Sequence, residues 1–105
     1  MFESIKKMFG AANNDYAQLI SEGAVILDAR SHGEYVSGHI EGSVNIPVNK
    51  LSENLNKLKS KNKPIITCCA SGMRSASAKG ILESNGYTKV INGGSWQSLE
   101  KKIKG

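Results

Sequence analysis

The most informative stretch of the chain is Ile65-Ile-Thr-Cys-Cys-Ala-Ser-Gly-Met-Arg-Ser75. Its first four residues, Ile65 to Cys68, form a short apolar run that predicts a fully buried strand. The small and hydroxyl-bearing residues that follow Cys69 predict a loop. A helix is predicted next, from Ser75 to about Ser84, and Asn85-Gly86 ends it. The order strand, loop and helix is typical of α/β folds.

The rest of the sequence repeats this alternation of short apolar runs and helical stretches. The predicted strands are Ala24–Leu27, Val44–Ile46, Ile65–Cys68 and Lys89–Ile91. Helices are predicted after Asn14-Asp15, from the capping box Ser31-His-Gly-Glu34 to about Ser37, after Ser52, and from Ser95 to Ile103. This alternation predicts an α/β fold with a central parallel sheet of about five short strands and helices on both faces. Ligands of such sheets bind beyond the C-terminal ends of the strands, where Cys69 lies.

Length and composition indicate one ordered domain. The 105 residues contain 39% hydrophobic and 22% charged residues, enough apolar side chains for one core. We predict an N-terminal extension over residues 1–10 and a single domain over residues 11–105. The sequence has no apolar run near the roughly 20 residues of a membrane span. Residues 1–10 also lack the unbroken apolar stretch of a secretory signal, so we predict a cytoplasmic protein with no membrane partner.

The net charge of +5, from 14 Lys and Arg against 9 Asp and Glu, raises the question of nucleic-acid binding. The lysines cluster within residues 50–63 and 101–104, and few aromatic residues accompany them. A basic surface without aromatic rings offers no platform on which bases can stack. We therefore predict solvated lysine-rich faces and no nucleic-acid partner, on a surface that attracts small anions.

Two adjacent cysteines, Cys68 and Cys69, are the only ones in the sequence. They have no distant cysteine with which to form a disulfide framework. A zinc site is also disfavoured, because His32 and His39 are far away in sequence and no CxxC spacing occurs. We predict no metal, and we interpret Cys68 as a buried strand residue and Cys69 as an exposed thiolate.

The loop after Cys69 is predicted to form a cradle for an anion. Gly72 can adopt a positive φ, and the loop can then curl so that its backbone N–H groups point inward. The N-terminus of the next helix adds unsatisfied N–H groups and the positive end of its dipole. Ser71 and Ser75 can add hydroxyl donors. Arg74 can add charge, either to an incoming anion or to a neighbouring carboxylate.

Three stretches together match the motifs of one known family. The first comprises Leu27-Asp-Ala-Arg30, Glu34-Tyr35 and Gly38-His-Ile-Glu-Gly-Ser-Val-Asn-Ile-Pro47; the second is Cys69-Ala-Ser-Gly-Met-Arg-Ser75; the third is Val90-Ile-Asn-Gly-Gly94. In this order and at these spacings, the chain resembles the single-domain rhodanese (thiosulfate sulfurtransferase-like) family over nearly its whole length.

The resemblance implies that Cys69 is a sulfur-carrying nucleophile. In the family's ping-pong mechanism, the thiolate takes the outer sulfur of a donor such as thiosulfate and forms a cysteine persulfide. A thiophilic acceptor then removes that sulfur. No cofactor is implied beyond the transient persulfide, and the implied partners are small sulfur-containing anions and a sulfur donor or acceptor protein. The implied substrate-binding loop comprises Ala70, Ser71, Gly72, Met73, Arg74 and Ser75.

The other motif residues are expected to support this loop. We predict that Asp28 accepts hydrogen bonds from loop N–H groups. Arg30 and Glu34 are predicted to form an ion pair at the start of a helix. For His39, the resemblance implies a packing role and not that of a base. Ala70 stands where many relatives carry Arg or Lys, so we expect thiosulfate to be a poorer donor than persulfides.

Two other functions remain open at this point. The first alternative is a sulfur carrier or partner-binding module of the same family that turns over small molecules inefficiently. The spacing Cys68-x5-Arg74 also matches the loop of cysteine-dependent phosphatases, some of which share the fold, with Cys68 as the nucleophile. The apolar strand that continues through Cys68 and the position of Gly72 favour Cys69 instead.

Overall fold

A computed structural model describes residues 15–58 and 60–104 of the chain. Its helices are α1 (Tyr16–Ser21), α2 (His32–Ser37), α3 (Met73–Ser84) and α4 (Trp96–Lys104). Its strands are β1 (Val25–Asp28), β2 (Val44–Asn45), β3 (Ile65–Cys69) and β4 (Val90–Ser95), and two 3-10 helices span Val48–Glu53 and Leu55–Lys57. No helix within the described ranges has both the length and the apolar content needed to cross a membrane. The N-terminal extension predicted for residues 1–10 lies outside these ranges.

The strands form one sheet in the order β2-β1-β3-β4, and every neighbouring pair is parallel. In the centre, β1 pairs with β3 from Val25 opposite Ile65 to Asp28 opposite Cys68. The predicted α/β fold with a parallel sheet is therefore confirmed, with four strands in the described residues where about five were expected. Because the strands are parallel, their C-terminal ends bring Asp28 and Cys69 to the same edge.

Side chains of alternate residues on β3 enter two different hydrophobic layers. Ile65 packs with the layer that contains Ala78 and Leu82 of α3. Ile66 and Cys68 pack with the layer that contains Leu99 of α4. Since successive side chains of a strand point to opposite faces, Thr67 and Cys69 face α3. The expected helices on both faces of the sheet are present, and the two cysteines lie on opposite faces.

Residues 48–57 differ from the sequence prediction. A helix was predicted after Ser52, but the chain forms the two short 3-10 helices. The side chain of Asn54, between them, donates to the carbonyl of Lys50 at 2.8 Å, and this local bond competes with a continuous helix. Leu51 and Leu58 are nevertheless buried, so this segment contributes to the core although its helices are of a different type.

The boundaries of β4 also differ from the prediction, because the strand was expected to end at Ile91 and instead extends to Ser95. The pairing of β3 with β4 shifts from Thr67 opposite Asn92 to Cys69 opposite Ser95, so β4 contains one extra residue there. Gly94 has a φ of 79°, as a β-bulge often requires. At Gly93 the strands approach closely, and an added Cβ would lie 2.8 Å from the carbonyl oxygen of Thr67.

Gly93→Ala is expected to lower the free energy of unfolding by about 1–3 kcal/mol, because the new methyl group overlaps backbone and the tightly packed side chains of Ile66 and Leu99. The control is Gly80→Ala on α3, where a Cβ meets no atom within 4 Å and better helix propensity should add up to about 1 kcal/mol. Urea denaturation of both variants measures the difference. Equal stability of the two variants would contradict the close approach at Gly93.

Candidate active site

The sulfur of Cys69 accepts hydrogen bonds from two backbone amides. The donors are the N–H groups of Gly72, at 2.9 Å, and of Ser75, at 3.2 Å. Cys69 ends β3, and Gly72 precedes the first residue of α3 with a φ of 108°, a conformation that glycine adopts without strain. The loop therefore curls around the sulfur and directs amides at it, which is the geometry predicted from the sequence. N–H donors in this arrangement stabilise negative charge on the atom that they surround.

The other loop residues lie around this sulfur at the protein surface. Ala70 and Ser71 are exposed, and Met73 is 80% exposed. Arg74 is 38% exposed. Its hydrogen bonds to Glu34 are the main cause that raises the pKa of Arg74.

Cys69 itself is 0% exposed, so the prediction of a solvent-exposed thiolate is wrong for this conformation. The physical reason is that the sulfur points into its own cradle and is enclosed by the backbone that donates to it. Sequence reasoning placed the residue at the correct edge of the sheet but could not give the direction of its side chain. A reagent can reach this sulfur only after the side chain rotates or the loop opens.

A hydrogen-bonded cluster of polar side chains fixes the second amide donor. The Ser75 hydroxyl donates to Oδ1 of Asn92 at 2.5 Å and lies 2.7 Å from Oγ1 of Thr67. Asn92 Oδ1 also accepts from the N–H of Gly94 at 3.0 Å. The hydroxyl of Ser75 is thus directed away from the cradle, contrary to its predicted role as an anion donor. Asn92 was missed, although an Asn two residues before a glycine commonly makes this backbone bond.

Asp28 and Arg30 form a buried ion pair next to the site. The guanidinium donates to the Asp28 carboxylate at 2.9 Å from Nε and 2.7 Å from Nη2, and the N–H of Arg30 donates at 3.0 Å. The hydrogen bond to Asp28 is the main cause that raises the pKa of Arg30. Arg30 also donates to the carbonyl of Gly38 at 2.7 Å and lies 4.8 Å from the ring centre of Trp96. Two predictions are corrected here: Asp28 holds Arg30 and not the loop amides, and the charged partner of Arg30 is not Glu34.

Glu34 pairs instead with Arg74 of the loop. Nη1 and Nη2 of Arg74 donate to the two carboxylate oxygens at 2.7 and 3.0 Å. This pairing, with the bonds from the backbone and hydroxyl of Ser31, lowers the pKa of Glu34 to about 2. Arg74 was predicted to contact either an incoming anion or a neighbouring carboxylate, and in this structure it contacts the carboxylate of Glu34. The bridge joins α2 to the first turn of α3.

Cys68 points into the opposite layer, among Tyr16, Ile66 and Leu99. It is 0% exposed. Burial, with a smaller effect of the Asp28 carboxylate, raises the pKa of Cys68 to about 12. The thiol is therefore protonated at neutral pH, as expected of a structural core residue.

In the folded protein, Cys68 is expected to resist alkylation by iodoacetamide up to about pH 11 and to react fully after unfolding in guanidinium. Peptide mapping by mass spectrometry after labelling at a series of pH values measures this. Alkylation of Cys68 at pH 8 under native conditions would show that the thiol is ionised or accessible, in contradiction to its environment.

His39 is held by the helix before it. Its Nδ1 lies 2.7 Å from the carbonyl oxygen of Tyr35, and the two rings stack with centres 3.8 Å apart. These contacts are packing contacts within the first motif.

Comparison with known proteins gives related curated sequences. PspE of Escherichia coli K12, named thiosulfate sulfurtransferase, is 33% identical over 81 residues, which cover 75% of this chain and 78% of PspE. YrkF of Bacillus subtilis, named putative sulfur carrier protein, is 40% identical over 67 residues, covering 64% of this chain and 36% of YrkF. A tRNA uridine(34) hydroxylase of Buchnera aphidicola is 35% identical over 83 residues, 72% of this chain and 27% of the hydroxylase. The chain thus spans less than two thirds of the length of several of the curated relatives that it matches, YrkF and the hydroxylase among them.

Solved structures and a family model agree with the sequence comparison. The human single-domain sulfurtransferase TSTD1 superimposes with a TM-score of 0.69 at 30% identity, covering 84% of this chain and 91% of that one. The model of the rhodanese-like domain matches residues 12–101, which include all three motifs. The chain therefore belongs to the rhodanese-like domain family.

Proposed function

We propose that this protein is a sulfurtransferase that carries sulfane sulfur on Cys69. The observation that supports this most directly is the pair of amides, from Gly72 and Ser75, that donate to Sγ at 2.9 and 3.2 Å. A nucleophilic sulfur has to bear negative charge, and fixed amide dipoles stabilise that charge without reorganising. The same dipoles suit a persulfide, which is also an anion. Cys69, Gly72 and Ser75 thus have the roles of nucleophile and anion donors.

In the first half-reaction, the Cys69 thiolate attacks the outer sulfur of a donor such as thiosulfate. A new S–S bond forms on Cys69, the S–S bond of thiosulfate breaks, and sulfite departs with the electron pair. One thiolate and one dianion thereby become one persulfide anion and one dianion. Because Cys69 is enclosed in its cradle, the side chain has to turn outward or the loop has to open before this attack.

In the second half-reaction, a thiophilic acceptor attacks the terminal sulfur of the persulfide. Cyanide gives thiocyanate, and the electron pair of the broken S–S bond restores the Cys69 thiolate. This scheme needs no metal or organic cofactor. Sulfur-containing anions and a donor or acceptor protein are the partners that it implies, in the cytoplasm.

A sulfur carrier that receives its sulfur from another protein is the second candidate. Two observations favour it over efficient turnover of free thiosulfate: Cys69 is closed to solvent, and Ala70 supplies no charge at the rim. The relatives include proteins named for both activities. The phosphatase alternative is disfavoured, because the cradle amides donate to Cys69 and the Cys68 thiol lies in the apolar layer with a raised pKa.

The test is a panel of donors followed by mass spectrometry of the intact protein. Thiosulfate, an alkyl persulfide and a persulfidated donor protein are each incubated with the reduced chain. A gain of one sulfur atom that peptide mapping assigns to Cys69 supports the proposal, and a gain only from the protein donor identifies a carrier. Failure of every donor, or sulfur bound to Cys68, would overturn it.

A further inference from the structure

A residue outside the Cys69–Ser75 loop controls whether the positive charge at the outer edge, or rim, of that loop is available to an anion. Arg74 is the only cationic side chain between Cys69 and Ser75. Its guanidinium donates from both terminal nitrogens to Glu34 on α2, at 2.7 and 3.0 Å. A guanidinium uses this paired geometry for carboxylates and also for the oxygens of other planar or tetrahedral anions. Glu34 therefore occupies the donors that an incoming oxyanion would use.

We propose that Glu34 is a specificity-determining residue, because its carboxylate withholds the Arg74 guanidinium from small divalent oxyanions such as thiosulfate and so favours persulfide donors. This inference rests on the proposed sulfurtransferase function and deepens it by naming the donor class. Persulfides present a terminal sulfur without an oxyanion group, so they lose nothing when Arg74 is occupied.

The Glu34 carboxylate is a strong competitor because α2 holds it in place. Oε1 accepts from the N–H of Ser31 at 3.1 Å and from its hydroxyl at 3.0 Å, in a capping box. The side chain is therefore fixed before it meets Arg74 and loses little rotamer freedom in the pairing. A thiosulfate ion would have to displace this tethered carboxylate and bring an unfavourable second negative charge beside it.

The rest of the rim does not compensate for the occupied arginine. Ala70, Ser71 and Met73 are exposed and uncharged. The sulfur of Cys69 already accepts from the two cradle amides. An anion that arrives at this rim thus meets one guanidinium whose paired donors are in use. Neutralisation of Glu34 is the single change that returns those donors to the substrate.

Glu34→Gln tests this inference with little change to the fold, because glutamine at the same position can still accept from Ser31 in a capping box. The freed guanidinium is expected to lower the KM for thiosulfate about tenfold, the lower end of the effect of a charge-assisted hydrogen bond. The expected kcat changes little, and the KM for an alkyl persulfide stays constant. Calorimetric titration of the reduced protein with inorganic sulfite is expected to give a Kd about tenfold lower than that of the wild type.

Two further variants separate this effect from a general gain of positive charge. Glu100→Gln makes the same charge change on α4, where Glu100 pairs with Lys104 at the surface, and it is expected to leave the sulfite Kd unchanged. In the double variant Glu34→Gln, Arg74→Gln, the sulfite affinity gained by Glu34→Gln alone is expected to be lost. The inference is overturned by an unchanged sulfite Kd in Glu34→Gln, by an equal gain in Glu100→Gln, or by a gain that survives in the double variant. Sulfite binding needs no sulfur transfer, so absence of persulfide alone would count against the proposed function and not against this inference.

Discussion

Cys69→Ser is expected to reduce thiocyanate formation from thiosulfate and cyanide to background, a loss of at least about 1000-fold. A serine hydroxyl in the same cradle is protonated at neutral pH and cannot hold a sulfane sulfur. The fold should be unaffected, because serine is slightly smaller than cysteine and can still accept from Gly72 and Ser75. The measurements are thiocyanate production and the mass of the protein after exposure to donor.

The matched control for this variant is Cys68→Ala. It removes the neighbouring thiol from the apolar layer and should keep sulfur transfer within about threefold, with a loss of about 1 kcal/mol in stability. Sulfur transfer that persists in Cys69→Ser, or that disappears only in Cys68→Ala, would show that Cys69 is not the nucleophile. Such a result would favour the phosphatase-like spacing Cys68-x5-Arg74, in which Cys68 is the nucleophile.

Asp28→Asn is expected to lower the free energy of unfolding by about 3–5 kcal/mol, because it leaves the Arg30 guanidinium buried without its counter-charge. Both side chains are at most 5% exposed, so water cannot take the place of the carboxylate. The total free energy of unfolding of a domain of this size is typically only about 5–15 kcal/mol. The melting temperature should fall by about 15 °C or more, measured by calorimetry or by circular dichroism.

The pair Glu100–Lys104, with its atoms 3.6 Å apart and its side chains 29% and 75% exposed, is the control for this prediction. Glu100→Gln should change the free energy of unfolding by no more than about 0.5 kcal/mol, since solvent screens a surface pair one helical turn apart. If Asp28→Asn is as mild as Glu100→Gln, Arg30 must find other partners. The carbonyl of Gly38 and the ring of Trp96 are then the groups that hold it.

The sequence allowed the order of the elements and the position of the site to be predicted. Apolar runs such as Ile65–Cys68 identify buried strands without reference to tertiary contacts, and the capping box at Ser31 and Glu34 is a local signal that the structure retains. The location of Cys69 at the C-terminal edge followed from the parallel sheet. These features depend on residues close together in the chain.

The features that could not be predicted depend on contacts between distant elements. Arg74 and Glu34 are 40 residues apart in sequence, and only the folded structure shows that each is the other's partner. The same holds for Ser75 and Asn92, which meet because both lie beside Thr67, the strand partner of Asn92. Side-chain direction is equally inaccessible from sequence, which is why Cys69 was expected to face solvent.

The enclosure of Cys69 also affects how the resting protein withstands oxidising conditions. A thiolate in contact with water is converted by hydrogen peroxide to sulfenic acid and then irreversibly to higher oxides. A sulfur with no accessible surface meets dissolved peroxide only during the fraction of time in which the loop is open. In the proposed sulfurtransferase, the enclosure that slows the arrival of a sulfur donor therefore also protects the resting Cys69 thiol from oxidative damage.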